Sequence, residues 1–541
     1  MQTAPRAAIG GTAEAAPTKR SLLPNGGDLI FLCPMYLLLV LLPNFVFSDG
    51  STGWHLVTGQ YIIAHRSLPH EDLISYTFPN KPWVPSEWLF DLVAAALVAA
   101  GGLKLLALAT ASAVASLFVS IYQDARRTGC HFVLVLIIVL IGLLTSTVHW
   151  LARPHLFTFF GVYIFSRYLE ALHRNKISAI HGNLVLGLTM LAWANAHPAF
   201  LIGLGMVVVY LVSETITMVA LPPGGDRALA GKRAGTLLAA LAVTAAASLV
   251  NPKGLAVYPY LATYWRLGAV LGQFQEWMSP AFHGQLHATA LEILFLAFVI
   301  GLATSRRRLW LGQLLLVLAF AHLALSAMRN EPLFVIVSLP VIADLLADTD
   351  LLSLAGPGNT DSPGWLGHLR QPWQRVAQAF DKVEFTCTRH LIPIAIVGVL
   401  AVSSIAAGTV PGRRALLSSQ FDSKTKPTTT LDYIAKRRLP WDRGFNLDNW
   451  GGYIRYTTGQ RVFIDDRLDF YGEDFYRRYV QALTIKPGWQ AFLDGYRVEW
   501  VLLPKNTALV DLLKQRPDWQ LQAEDQAAYL FVRQPTRGRA P

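Results

Sequence analysis

The feature that most constrains this chain is a succession of apolar runs, each close to the length of a bilayer crossing and separated by short basic loops. A helix needs about 20 mainly apolar residues to cross the hydrocarbon core. Such runs lie at 29–47, 103–122, 131–148, 156–172, 178–194, 199–221, 234–250, 287–304, 309–327, 332–346 and 391–410. They predict a polytopic α-helical membrane protein with eleven crossings. A further run at 88–101 is short, and reads as an interfacial or re-entrant piece or as the first half of the span after it. Composition agrees. The 541 residues are 53% hydrophobic and 15% charged, where an ordinary soluble chain carries about 25% charged residues. Disorder is excluded for most of the length by the same figures.

Run 29–47 is too long for a signal-peptide core and lacks a small-residue cleavage site before Asp49, so it reads as a retained signal anchor. Residues 1–27, rich in Ala, Pro and Gly, read as a disordered cytoplasmic N-terminus. With that end inside, the inner loops hold Arg126, Arg127, Arg174, Lys176, Arg227, Lys232, Arg233 and Arg306 to Arg308, with further cations in 1–27 and 348–390. The outer loops hold only Arg66, Lys81, Arg153, Lys253, Arg266 and Arg329 before residue 411. The excess of positive charge inside favours this orientation and puts 411–541 outside. The net charge of +11 is therefore topogenic and does not point to nucleic acid. Cys33, Cys130 and Cys387 offer neither a disulfide framework nor a zinc pattern. Loop 348–390 mixes Trp and Leu with Arg and Lys, which suits a helix on an anionic leaflet or a plain linker.

Beyond residue 410 the apolar runs stop. Segments 461–465, 498–504 and 527–533 predict strands, and 474–483, 488–496 and 507–516 predict helices, which makes 411–541 a small extracytoplasmic α/β domain. No internal repeat has a fixed period.

Polar residues accumulate at span ends on the outer side: Asp49, Glu87, Arg153, His155, His197, Asn251, Glu276, Arg329 and Asn330. Charges there are costly unless solvated, paired or useful. Their sidedness predicts a polar cavity facing outward. The first outer loop, 48–87, is the richest piece. Its segment 53–66 puts Trp54, Val57, Tyr61 and Ile62 on one helical face, which suits a helix lying in the interface.

A long first loop with an acid at its start, an interfacial helix, many spans and an outer C-terminal domain resemble the GT-C superfamily of membrane glycosyltransferases. The stretch DGSTGWHLVTGQYIIAHRSLPHEDLISYTFPNKPWVPSEW and the tail FNLDNWGGY…VFIDDRLDFYG look like a poorly characterised bacterial branch of it, over about residues 29–541. The resemblance implies transfer of a sugar from a polyprenyl-phosphate carrier to a glycan, lipid or protein acceptor, on the periplasmic side of a bacterial inner membrane. It implies Asp49 as general base, with Glu87 or Asp72 as a second carboxylate. Ser51 stands where relatives carry a second acid close to the first, which leaves a divalent metal open. A phosphate leaving group needs cations more than a proton, and Arg binds phosphate bidentately. Arg329 and Arg153, helped by His155 and His197, are the expected phosphate ligands. In the tail, Asp465, Asp466 and Asp469, beside Arg467, and Trp450 are the expected acceptor contacts.

Each assignment has a plainer alternative. Asp49 can cap the next helix. Glu87 can pair with Lys81, and the arginines can snorkel to headgroups. The histidines can be structural, Asn251 a turn residue, and the aspartate cluster a salt-bridged loop. Trp54, Trp83 and Trp88 can be interfacial belt residues. Two other functions fit the same outline: a transporter or flippase for a lipid-linked saccharide, and a non-catalytic polysaccharide-assembly protein.

Overall fold

The computed structural model describes residues 25–266, 275–348, 390–410 and 412–534. Residues 1–24 of the expected disordered segment and the amphipathic loop at 349–389 lie outside the described residues, while Asn25 caps a helix that begins at Gly26. Every apolar run is helical. In chain order the helices are α1 (Gly26–Tyr36), α2 (Ser51–His65), α3 (Trp88–Arg127), α4 (Phe132–Ser146), α5 (His155–His173), α6 (Ala179–Ala196), α7 (Leu201–Ala220) and α8 (Gly225–Ser248). After α9 (Val257–Arg266) come α10 (Leu286–Thr304), α11 (Leu311–Ser326), α12 (Glu331–Leu346) and α13 (Leu391–Thr409).

Among the described residues, five helices are long and apolar enough to cross a membrane: Trp88–Arg127, Phe132–His149, Pro198–Ala220, Leu286–Thr304 and Leu391–Thr409. Two shorter apolar helices, Gly26–Leu41 and Leu311–Ser326, accompany them. Large side chains such as Leu184, Val208, Ile293, Val299 and Val402 are exposed on the outside of the bundle. That apolar surface belongs to a membrane protein.

The short run 88–101 proves continuous with the span after it. Together they form α3, 40 residues long and about 60 Å at 1.5 Å per residue, bent at Gly101 and Gly102. Gly102 has φ +69°, a left-handed value that glycine adopts without a Cβ penalty. Helix α3 packs against α1, α2 and α13, so it is the spine of the bundle.

The C-terminal part carries a four-stranded sheet of order β1-β2-β4-β3, with β1 (Gly444–Asn446), β2 (Trp500–Pro504), β3 (Trp519–Glu524) and β4 (Ala528–Arg533). Strand β1 runs parallel to β2, and the other pairs are antiparallel. The helices are α14 (Thr429–Arg437), α15 (Asp448–Thr458), α16 (Leu468–Tyr471), α17 (Glu473–Leu483), α18 (Trp489–Gly495) and α19 (Ala508–Leu513). Two expected strands stand in the sheet as β2 and β4. The third, 461–465, does not. It lies along the first loop instead: the Tyr76 amide donates to the Val462 carbonyl and the Val462 amide to the Ile74 carbonyl.

The first loop is thereby built into the C-terminal core. Trp54 and Ile74 share one apolar cluster with Leu431, Trp450, Ile454, Trp500 and Leu530. Helix α2 is packed on more than one face. It is wedged between α3 and α15, with Trp54, His55, Leu56, Thr58 and Ile62 all buried. Glycines permit the approach: a Cβ on Gly53 would stand 2.3 Å from the Gly452 backbone, and one on Gly59 would stand 2.0 Å from the Asp91 carbonyl.

Candidate functional site

A cavity of about 320 Å³ opens where the helix bundle meets the C-terminal part. Arg153, His155, His197 and Arg329 line its floor, all at or beside helix ends of the bundle. Trp83 and Glu87 of the first loop form a wall, with His55 of α2. Asp466, Arg467 and Asp469 close it from the C-terminal side. Residues hundreds of positions apart in sequence therefore share one chamber.

The two expected phosphate ligands hold one carboxylate between them. Arg153 Nη1 is 3.1 Å from Glu276 Oε2, and Arg329 Nη1 is 3.1 Å from Glu276 Oε1. The Arg329 guanidinium also stacks 4.3 Å over Trp277. Burial raises the Glu276 carboxyl, but Arg329 and Arg153 outweigh it and bring the group down to about 2. Glu276 was legible only as one more outward polar residue. Its bridging role joins segments 123 and 53 residues away, which no local pattern encodes.

Asp49 stands one layer behind this pair. Its Oδ2 is 2.9 Å from Arg153 Nε and accepts from Ser51 Oγ at 2.7 Å. Its Oδ1 accepts from the Thr52 hydroxyl at 3.1 Å and more weakly from the Thr52 amide. The helix-capping reading of Asp49 is thus present, combined with anchoring of Arg153. Asp49 is not among the residues lining the cavity. A divalent cation does not fit there, because both carboxylate oxygens are engaged and a guanidinium is the neighbour. Among the described residues no three His, Cys, Asp or Glu side chains are arranged to hold a metal ion.

Glu87 takes the central place instead. His55 Nε2 lies 3.8 Å from its Oε2 and His197 Nε2 lies 4.0 Å from its Oε1. Burial pushes the Glu87 carboxyl up to about 8, with Asp469 adding to the rise and Arg153 opposing it. Both histidines are held neutral, first by burial and then by nearby arginines. His55 Nδ1 lies 2.6 Å from Asp91 Oδ1. His197 Nδ1 lies 2.7 Å from the Thr158 hydroxyl, which accepts from Trp193 Nε1 at 2.8 Å. Glu87 therefore faces two neutral imidazoles, each held from behind by a polar partner. Lys81, offered as its plain partner, bonds the Phe470 carbonyl instead.

His155 lines the cavity, but its Nε2 donates to the His149 carbonyl at 2.7 Å and its ring packs, tilted, 3.9 Å from that of His149, which ties it into the fold. Asn251 caps a turn through its bond from the Lys253 amide.

The acidic cluster of the tail divides. Asp465 is fully buried and locked to Arg467 and Tyr471, so it is no acceptor ligand. Asp72 is buried too. It accepts from the Ile74 and Ser75 amides and pairs with Arg467 at 2.7 Å, which removes it as a second catalytic acid. Trp450 is buried with Nε1 donating to the Thr425 carbonyl, away from the cavity, so it is no platform for a ligand. Both misplacements have one cause: 450–453 is helical and 465 faces the core, where loops were expected. Asp466 and Asp469 do reach the chamber. Asp466 accepts from Trp54 Nε1 at 2.9 Å, and burial, with Asp49 and Asp465 nearby, raises its carboxyl well above the usual range. Asp469 accepts from Tyr260 Oη at 2.5 Å.

Arg467 is the residue that sequence reasoning passed over. Its Nε and Nη2 are fixed by Asp465 and Asp72, while Nη1 is buried with no hydrogen-bond partner. The guanidinium lies 4.6 Å from the Trp83 ring centroid and 4.7 Å from that of Phe470. The only signal was an Arg among three Asp residues. Trp54 and Trp83 are thus cavity walls and not belt residues, while Trp88 bonds Asn195 Oδ1.

Fold and site together define a membrane protein whose helix ends and C-terminal α/β segment enclose a chamber of paired cations and carboxyls. In fold the chain is similar to the apo crystal structure of the Archaeoglobus fulgidus oligosaccharyltransferase, with a TM-score of 0.51 at 12% identity, over 88% of this chain and 69% of that one. At that identity the likeness is one of fold alone. No family model and no curated protein matches the sequence.

Proposed function

We propose that this protein is a GT-C-type glycosyltransferase of a bacterial inner membrane, with eleven crossings and residues 411–541 in the periplasm. It moves a sugar from a polyprenyl-phosphate carrier to an acceptor on that side. The observation that carries the reading is the Arg153–Glu276–Arg329 bridge beside Glu87: an anion cradle next to a proton-transfer carboxyl. In the transfer step an acceptor hydroxyl oxygen bonds to the anomeric carbon. The bond from that carbon to the phosphate oxygen breaks, and its electron pair leaves with the phosphate. Arg153 and Arg329 neutralise the leaving phosphate once it displaces Glu276. The hydroxyl proton passes to the ionised form of Glu87, a base whose affinity for protons is matched to the working pH. Asp49 holds Arg153 in position. The acidic and aromatic end, with Trp83, Asp466, Arg467 and Asp469, receives the sugar and the acceptor, because aromatic faces and polar groups recognise carbohydrate without a net charge.

An ion-coupled carrier is less well supported. The acids Asp124, Glu170 and Glu214 lie toward helix ends and are paired with Arg167, Arg174 and His173. No chain of them crosses the bundle among the described residues.

The test is release of polyprenyl phosphate from a polyprenyl-phosphate sugar by purified protein, with glycan profiling of cells carrying Glu87→Gln or Arg329→Gln. Loss of product in both variants at normal membrane levels is expected. Full product from Glu87→Gln overturns the assignment of the base, and lipid movement in liposomes without bond transfer overturns the enzyme reading.

A further inference from the structure

The far end of the bundle holds a second cavity, of about 340 Å³, lined among others by Ile177, Ser178, Lys232, Arg233, Thr236 and Leu237. Helix α5 begins with His155 at the first chamber and ends with His173 at the second. Its 19 residues span about 28 Å, close to one hydrocarbon thickness. Helix α6 runs back the other way, from Ala179 at the second cavity to His197 at the first. The two chambers therefore stand at opposite ends of the same helix pair. The transfer chemistry proposed above uses only one of them.

The second cavity carries positive charge that the protein does not answer. Arg233 Nε is buried with no hydrogen-bond partner. The Lys232 ammonium beside it forms no ion pair among the described residues. Of the nearby acids, Glu214 is taken up by His173 at the cavity wall, and Glu170 by Arg174, Tyr210 and Trp310. The N-terminus of α6, capped by Ser178, also points its positive end at this cavity. An apolar track leads away from it. Ile180, Leu184 and Leu188 recur at i, i+4 and i+8 on α6 and are 83%, 57% and 58% exposed, with Leu238 of α8 exposed as well. Basic pockets between membrane helices seat anionic lipid head groups.

We infer that this cavity binds the phosphate of an anionic membrane lipid between Lys232, Arg233 and the start of α6, with the lipid chain along Ile180, Leu184 and Leu188. The site is separate from the transfer chamber, so its occupant is a structural or regulatory lipid and not the sugar donor.

The experiment is lipid binding to the full-length protein in detergent, read by native mass spectrometry and thermal shift. Phosphatidylglycerol, phosphatidylcholine and inorganic phosphate are the probes. Phosphatidylglycerol is expected to be retained and to raise the melting temperature. The Lys232→Gln/Arg233→Gln variant is expected to bind it about 30-fold more weakly. A charge-keeping Lys232→Arg/Arg233→Lys variant retains binding, and Thr236→Trp, which fills the cavity, loses it. Arg413→Gln/Arg414→Gln is the control that changes nothing. Equal retention of phosphatidylcholine, or unchanged affinity in the Gln variant, overturns the proposal. An equal shift with inorganic phosphate overturns the lipid assignment in favour of a soluble anion.

Discussion

Glu87 and Glu276 stand in one chamber with opposite proton affinities, and the neighbours decide which is which. Glu87 has neutral histidines on two sides, so its ionised form is disfavoured by burial up to about pH 8. Transfer should therefore rise with pH and level off near 8 in a pH–rate profile. Glu87→Gln should cost at least 100-fold in turnover and remove the limb. Glu276 is the reverse case, its carboxylate held by two guanidiniums and its affinity lowered from 4.5 to about 2. A lowered folded-state value stabilises the protein above the unfolded value and is lost as pH falls through the folded one. Acid melting curves should therefore lose stability between about pH 4.5 and 2, and Glu276→Gln should flatten that slope. The outward polar residues were legible because each sits in an unusual local context at the end of an apolar run. Which carboxyl carries the proton was not legible, since it depends on the burial of Glu87 and on Arg153 and Arg329 meeting Glu276 in space.

Helix α2 shows why amphipathic reading failed at the level of one element. The pattern Trp54, Val57, Tyr61, Ile62 predicts a single buried face, whereas the small residues Gly53 and Gly59 create two further ones. Backbone comes close on those sides: Gly53 meets Gly452 of α15 and Gly59 meets Asp91 of α3. Glycine spacing was the available signal, but without a partner helix it cannot be told from turn composition. Gly53→Ala and Gly452→Ala should each push α15 off α2, at a cost of about 1–3 kcal/mol or more. Limited proteolysis should then cut the C-terminal part sooner than in the wild type. The kink of α3 was half legible, because GG at 101–102 broke the apolar run into a short and a long piece. Sequence alone did not decide whether the short piece was separate, since a bent helix and two helices share the same hydropathy.

On the scale of the molecule, the helical membrane architecture was readable from hydropathy because lipid accepts only apolar side chains and satisfied backbone. The join between the parts was not readable, for it rests on contacts such as Arg467 with Asp72 that span 395 residues. Removing Arg467 leaves two buried carboxylates without their counter-ion, and breaking such a pair costs about 3–5 kcal/mol. Arg467→Met should therefore lower the melting temperature and uncouple the first loop, while Arg467→Lys should recover part of the loss. Residues 412–541 made alone should fail to melt cooperatively, because Trp54 and Ile74 belong to their core. The same bond has a consequence for biogenesis. At about 5–20 residues per second, Asp72 is made some 20–80 s before Arg467. The nascent first loop must wait outside the bilayer for that time with its anion unanswered, open to proteases and holdase chaperones, until the last quarter of the polypeptide arrives to receive it.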